Sequence, residues 1–203
     1  MTIGVLKEPA FETRVSLLPE AVAALTKKNI TVLVETGAGE KAFASDADYE
    51  KAGAQMKSLE DVLKNAQIVL TINAPEQSST ANLQSQIFLG VYQPLTNKEK
   101  MQVWAENGFT TFSLDMLPRT TRAQAMDVLS SQANIAGYKA VLTAANAYGR
   151  YFPMFMTAAG SIAPAKVLIL GAGVAGLQAI ATARRLGAVV EVFDTRPAVK
   201  EEV

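Results

Sequence analysis

The chain has 203 residues, enough for one large domain or two smaller ones at roughly 100–150 residues each. Hydrophobic residues make up 49% and charged residues 19%, with 13 Gly and 8 Pro, a globular composition that excludes disordered, collagen-like and coiled-coil classes. Nineteen Lys and Arg balance nineteen Asp and Glu, so the positive surplus on which phosphate-backbone binding rests is missing and nucleic acid is excluded as the main partner. Cysteine and histidine are both absent. That removes disulfides, thiolate chemistry, the commonest metal ligands and the commonest general base, and no metal site is expected.

In chain order, short apolar runs alternate with helical patterns. Ile3–Leu6, Ile30–Val34, Ile68–Ile72, Ile87–Val91 and Thr110–Leu114 read as strands, near-continuously apolar as in a parallel sheet covered on both faces. Between them, Pro19 suits the first turn of a helix over Glu20–Lys28, Ser45 precedes one over Asp46–Ala52, and Ser58 with Asp61 begins a third. Thr96 with Glu99 reads as a capping box for a helix ending at Asn107-Gly108. This alternation predicts a βαβ layout for residues 1–135.

A long helix is expected over 120–147, bridging two domains. Tyr151–Ala165 reads as a proline-bounded connection whose Met and Phe residues pack in a core or interface. Residues 136–203 then begin a second Rossmann-like domain: strand Val167–Leu170, helix Val174–Leu186, strand Val189–Phe193. The fold class expected is therefore α/β, two Rossmann-like domains with parallel sheets, the second truncated after one βαβ unit, and the natural protein is expected to be longer. Met1–Leu6 leads directly into Lys7-Glu8-Pro9, which does not read as a secretory signal. Val167–Ala183 carries no charge over 17 residues, but its glycines, with Gln178 and Thr182, argue against a membrane span, which needs about 20 apolar residues.

The strongest local signal is Gly171-Ala172-Gly173-Val174-Ala175-Gly176. A hydrophobic strand precedes it, an uncharged helix start follows, and Asp194 closes the next strand 18 residues beyond Gly176, the context a dinucleotide fingerprint requires. Gly171 permits the tight turn, Gly173 lets a pyrophosphate approach the backbone, and Gly176 allows close helix packing; the phosphates then face the N–H groups opening the helix, including those of Val174 and Ala175. Asp194 accepts hydrogen bonds from ribose hydroxyls and repels the extra phosphate of NADP, favouring NAD, while Arg196, beside Thr195, softens that preference.

The run Leu117-Pro118-Arg119-Thr120-Thr121-Arg122-Ala123-Gln124-Ala125-Met126-Asp127-Val128-Leu129-Ser130-Ser131-Gln132, with Ala136-Gly137-Tyr138 after it, closely resembles the NAD(H)-binding domain (domain I, alpha subunit in bacteria) of proton-translocating nicotinamide nucleotide transhydrogenases. So does Val174–Ala183 with Arg185-Leu186-Gly187-Ala188. Alanine dehydrogenases share the fold and the Arg14-Val15 pair, but the Lys and His that serve their substrate have no counterpart in Thr71–Pro75 or Gly90–Pro94.

The resemblance implies an enzyme component that passes a hydride from NADH, held by this chain, to NADP⁺ on a separate domain, with proton translocation in a membrane part outside this chain. It also implies a homodimer on the cytoplasmic side of the bacterial inner membrane, without membrane insertion of its own; residues 1–203 alone are expected to be inactive. Such a transfer needs two rings at near-attack distance, about 3–3.5 Å, rather than an acid or base, which suits a histidine-free chain.

By the same resemblance Arg119, Gln124, Asp127 and Ser130 surround the nicotinamide end of the nucleotide, with Gln124, Asp127 and Arg119 as the catalytic set. Thr120, Thr121, Arg122, Tyr138, Thr195 and Arg196 join the fingerprint residues as cofactor contacts. Gln124 and Ser130 can bond the carboxamide; Asp127 either favours the oxidised ring or holds Arg119. Structural roles compete: Thr121 with Gln124 reads as a capping box, and Ser130 can bond its own helix backbone. Arg122 and Asp127, five apart, make a poor helical pair. An amino-acid dehydrogenase of the alanine type and a non-enzymatic NAD-binding module are the rival readings.

Overall fold

A computed structural model describes residues 1–76, 83 and 86–201. It divides into two compact units, Met1–Met126 and Asp127–Val203. The first is a six-stranded, all-parallel sheet in the order β3-β2-β1-β4-β5-β6, built from β1 (Thr2–Val5), β2 (Thr31–Glu35), β3 (Gln55–Lys57), β4 (Ile68–Leu70), β5 (Ile87–Gly90) and β6 (Thr110–Ser113). This is the doubly wound order, reversing between β1 and β4. Its helices are α1 (Pro19–Thr26), α2 (Asp46–Lys51), α3 (Leu59–Asn65) and α4 (Lys98–Glu106).

Period-two alternation sends β2 side chains to opposite faces. Val32 and Val34 join Val5, Val22 and Tyr49 in one core, whereas Leu33 joins Val62, Val69, Phe88 and Trp104 in the other. Trp104 anchors the second core, with its ring 5.0 Å from that of Phe88 and 5.1 Å from that of Tyr92.

Pro19 opens α1, and Ser45 and Ser58 cap α2 and α3 by accepting the N–H groups of Asp48 and Asp61. Thr96 does not cap α4. Its Oγ1 donates to the Gln93 carbonyl, and Asn97 stands at the cap position with no side-chain bond there. The strand β3 was not expected, because Gln55-Met56-Lys57 has a single apolar residue, too short a run to display a period; it pairs with β2, and Met56 packs on the first core.

The expected continuous helix over 120–147 is two elements. Thr121–Met126 is a 3₁₀ segment, and α5 (Val128–Ala147) starts after Asp127, whose carboxylate caps it by accepting the Ser130 N–H. That aspartate competes for backbone bonds that a through-running helix would need.

The second unit contains α5, the antiparallel hairpin β7 (Phe155–Thr157) and β8 (Gly160–Ile162), then β9 (Lys166–Leu170), α6 (Val174–Arg185) and β10 (Val189–Phe193). The hairpin replaces the plain connection expected there. Phe152 is buried, but Tyr151, Met154, Phe155 and Met156 are exposed.

β9 and β10 are parallel, joined by α6 as one βαβ unit. Val167, Ile169 and Val190 pack on Val141, Ala179 and Ala183, while Leu168, Leu170, Val189 and Phe193 are exposed on the alternate positions. No described helix is long and apolar enough to cross a membrane.

Phe88 is fully buried against Trp104 and Phe109. Phe88→Ala should cost about 3–5 kcal/mol of stability, read from chemical unfolding followed by the fluorescence of the one tryptophan. A cost under about 1 kcal/mol would mean that this cluster does not hold the sheet.

Candidate functional site: the glycine turn and its flanking residues

Between β9 and α6 the chain turns through Gly171–Gly176. Gly171 has φ +94°, where side chains are strained. A Cβ on Gly176 would stand 1.8 Å from the Gly171 carbonyl oxygen, so only glycine lets the helix begin this close to the turn. A Cβ on Gly173 would meet nothing within 4 Å; the backbone there is open to an approaching group. Gly173 occupies the cap position of α6 with no side-chain hydrogen bond, leaving the N–H groups of the first turn, Val174 and Ala175 among them, to a ligand.

The next strand staples this turn. The Gly171 N–H donates to the Phe193 carbonyl at 2.7 Å, and the Ala172 N–H donates to Asp194 Oδ2 at 2.8 Å. Asp194 also accepts from the Arg196 backbone N–H, from Nε at 3.1 Å and from Nη2 at 3.0 Å. The Arg196 guanidinium, then the Ala172 N–H, hold its carboxyl well below the usual carboxylate range. A cavity of about 400 Å³ lies against this end of β10, lined by apolar Ala172, Val192, Pro197 and Val199 and by Asp194 and Arg196. Its volume falls within the ordinary range for small-molecule sites, about 300–1,000 Å³. Thr195 is exposed between the two charged residues.

Asp127 and Ser130 meet at the start of α5: Ser130 N–H donates to Asp127 Oδ1 at 2.9 Å and Ser130 Oγ to Oδ2 at 2.6 Å. Ser130 thus bonds the capping side chain. Tyr138, on the same helix, is half exposed. Arg119, Thr120, Thr121, Arg122 and Gln124 belong to the first unit, at and just before the 3₁₀ segment, and all are exposed. A Thr121–Gln124 box does not open a helix; the cap is Asp127.

At the mouth of the first sheet, by the switch between β1 and β4, polar groups bond to one another. Glu8, largely buried, accepts the N–H groups of Ile72 and Asn73 and the Asn73 side-chain amide. Tyr92 Oη and Thr71 Oγ1 pair at 3.0 Å. Arg14 forks onto Glu12 through Nε at 2.8 Å and Nη2 at 2.6 Å. The segments after β4 and β5 present no Lys or His, and no cluster of metal-ligating side chains occurs among the described residues.

This fold and fingerprint define a nucleotide-binding class, and the chain belongs to the alanine dehydrogenase/PNT family: the N-terminal domain model matches residues 4–136 and the C-terminal one residues 140–203. Within that family it is similar to NAD(P) transhydrogenase subunit alpha of Cereibacter sphaeroides, 44% identical over 194 residues, 95% of this chain and 37% of that one. NAD(P) transhydrogenase subunit alpha of Haemophilus influenzae is 40% identical over 205 residues, 100% of this chain and 40% of that one. The chain thus spans about two fifths of the length of these relatives.

Among solved structures, a transhydrogenase from Sinorhizobium meliloti aligns with TM-score 0.95 and 46% identity, over 100% of this chain and 61% of that one. An L-alanine dehydrogenase aligns with TM-score 0.84 and 29% identity, over 100% and 57%.

The fork on Arg14 lowers Glu12 to about 2 from the ordinary 4.5, so the folded protein favours the ionised form. That stabilisation is full above pH 4.5 and fades as pH falls from 4.5 towards 2. Glu12→Gln should therefore be less stable than wild type at pH 7, by less than about 1 kcal/mol because solvent screens the pair, and the gap should close by about pH 2. Denaturant unfolding between neutral and acid pH reads this; equal stabilities at neutral pH would contradict it.

Proposed function

We infer that this chain is the NAD(H)-binding component of a proton-translocating transhydrogenase. In this reading it presents a nicotinamide for hydride transfer to NADP⁺ on a separate domain, and a membrane part outside this chain couples the transfer to proton movement. The observation that carries the reading is the glycine turn, with a cleared approach at Gly173, free N–H groups opening α6 and a carboxylate at the end of the next strand, on a chain resembling transhydrogenase alpha subunits along nearly its whole length.

The residues fit the group. The first turn of α6 would take the pyrophosphate, and Asp194 the adenosine ribose, with its fork to Arg196 giving way to the hydroxyls. Ser130 donates its proton to Asp127, so its oxygen is left to accept from the carboxamide NH₂, and Gln124 would complete that hold. Asp127 acts by fixing Ser130; Arg119, Thr120, Thr121, Arg122 and Tyr138 are assigned to the nicotinamide end through the family resemblance alone. When bound, the nucleotide supplies the hydride. The protein's part is orientation at near-attack distance and exclusion of water, which calls for no proton donor and fits a chain without histidine.

The preference for NADH follows from the Asp194 charge. The homodimer has a surface available in the β7–β8 hairpin, where Phe155, Met156 and Ile162 are exposed on a ribbon too small to be stable without cover. In the intact assembly the chain would be a peripheral domain on the cytoplasmic face of the inner membrane.

The alanine-dehydrogenase reading has the shared fold in its favour and the absence of Lys and His in Thr71–Pro75 and Gly90–Pro94 against it. Mixing the full-length protein with NADH, an NADP⁺ analogue of shifted absorbance and the NADP(H)-binding partner domain should give rapid transfer. Gln124→Ala and Asp127→Asn should slow it by about 10²-fold, the cost of a 1 Å misplacement. Absence of transfer in the wild type, or alanine-dependent reduction of NAD⁺ instead, would overturn the reading.

A further inference from the structure

We propose that Gly137 is a positioning residue of the nucleotide site: its missing side chain sets how closely α5 lies on the first turn of α6, and so where the Asp127–Ser130 end of α5 stands relative to the glycine turn. The proposal rests on the nucleotide-binding reading above. A Cβ built on Gly137 would stand 2.0 Å from the Ala175 carbonyl oxygen, 2.8 Å from its carbonyl carbon and 3.0 Å from its Cα. All three are backbone atoms that cannot rotate aside. Ordinary contact begins near 3.4 Å, so one methyl group would force the two helices apart by more than 1 Å.

The contact is the end of a continuous ridge. Gly137, Val141 and Ala145 recur every fourth residue on α5, as do Ala175, Ala179 and Ala183 on α6. Val141, Ala145, Ala179 and Ala183 share one core, and Asn134 donates to Gln178 across the same junction at 3.2 Å. Rows spaced by four are those that interlock when helices pack closely.

The two helices are not equally free to yield. Ala175 precedes Gly176, which already lies against the Gly171 carbonyl, and the turn is stapled through Ala172 to Asp194. Retreat of the first turn of α6 would disturb that staple. A side chain at position 137 therefore displaces α5, and with it the Asp127–Ser130 cap seven to ten residues, or ~10–15 Å, up the helix. The phosphate end of the site keeps its place while the nicotinamide end moves.

Calorimetric titration of the full-length protein with NADH and with ADP-ribose, which lacks the nicotinamide, reads the two ends separately. For Gly137→Ala the expected result is NADH binding weakened about tenfold with ADP-ribose within about twofold of wild type, in keeping with the sensitivity of oriented sites to 1 Å shifts. Equal weakening of both ligands would make Gly137 a packing residue only, and unchanged binding of both would also overturn the proposal. Should Gly137→Ala fail to fold, Asn134→Ala loosens the same junction and should shift the ratio of the two affinities about two- to threefold in the same direction; an unshifted ratio contradicts the proposal. If wild-type protein binds neither ligand, the nucleotide-binding reading falls and this one with it. If wild type binds both while the variant matches it, this proposal alone falls.

Discussion

The absence of a side chain at Gly176 allows α6 to begin within touching distance of the Gly171 carbonyl. Much else follows from that closeness. The turn is tight enough for Asp194, at the end of the neighbouring strand, to accept the Ala172 N–H, and the N–H groups opening α6 are left facing outward at a point where Gly173 keeps the approach clear. A helix N-terminus of this kind favours anions through both its free donors and its dipole. The carboxylate at Asp194 adds a hydroxyl acceptor, kept ionised by Arg196. Position and charge are thus supplied by backbone and one aspartate, without any titrating group near neutrality.

The first unit has another character. Its sheet reverses direction between β1 and β4, the place where doubly wound sheets receive ligands, yet Glu8 occupies the amides of Ile72 and Asn73 and Glu12 occupies the fork of Arg14. Polar groups that a small acidic ligand would use are satisfied internally. Two nucleotide-type folds in one chain therefore differ in what they offer: in the first, carboxylates of the chain itself take these donors, and the second keeps an open turn beside a cavity of about 400 Å³.

Much of this was legible in the sequence. The strands of the first sheet, the caps at Ser45 and Ser58 and the βαβ unit around the glycine turn depend on local pattern, and local pattern is what a sequence displays. β3 was hidden because Gln55-Met56-Lys57 turns one apolar residue, Met56, to the core, too few to show a period. The β7–β8 hairpin was hidden because its Met and Phe residues look like core residues yet are exposed. Thr96 misled by one position: the helix does start there, but Asn97 takes the cap position while the Thr96 hydroxyl turns back to the Gln93 carbonyl. Of the candidate site, the fingerprint glycines and Asp194 are proposed from spacing and context. Arg119, Gln124, Asp127 and Ser130 are proposed only through resemblance, since a segment before a helix, a 3₁₀ turn and a helix cap carry no pattern that points to a ligand. Gly137 had no signal of its own: a lone glycine within a helical pattern gains meaning only when the helix crossing it is known.

The central claim is that the backbone at Gly173 faces a bound pyrophosphate, and Gly173→Val tests it most directly. Gly173 has φ −80° and ψ −170°, which any residue adopts, and its Cβ would meet no neighbouring atom, so the variant should fold, at the cost of about 1 kcal/mol for Val at a helix cap. Its affinity for NADH should nevertheless fall by about 100-fold or more, because the new side chain fills the space the phosphates need. A variant that folds and binds NADH with undiminished affinity would contradict the account.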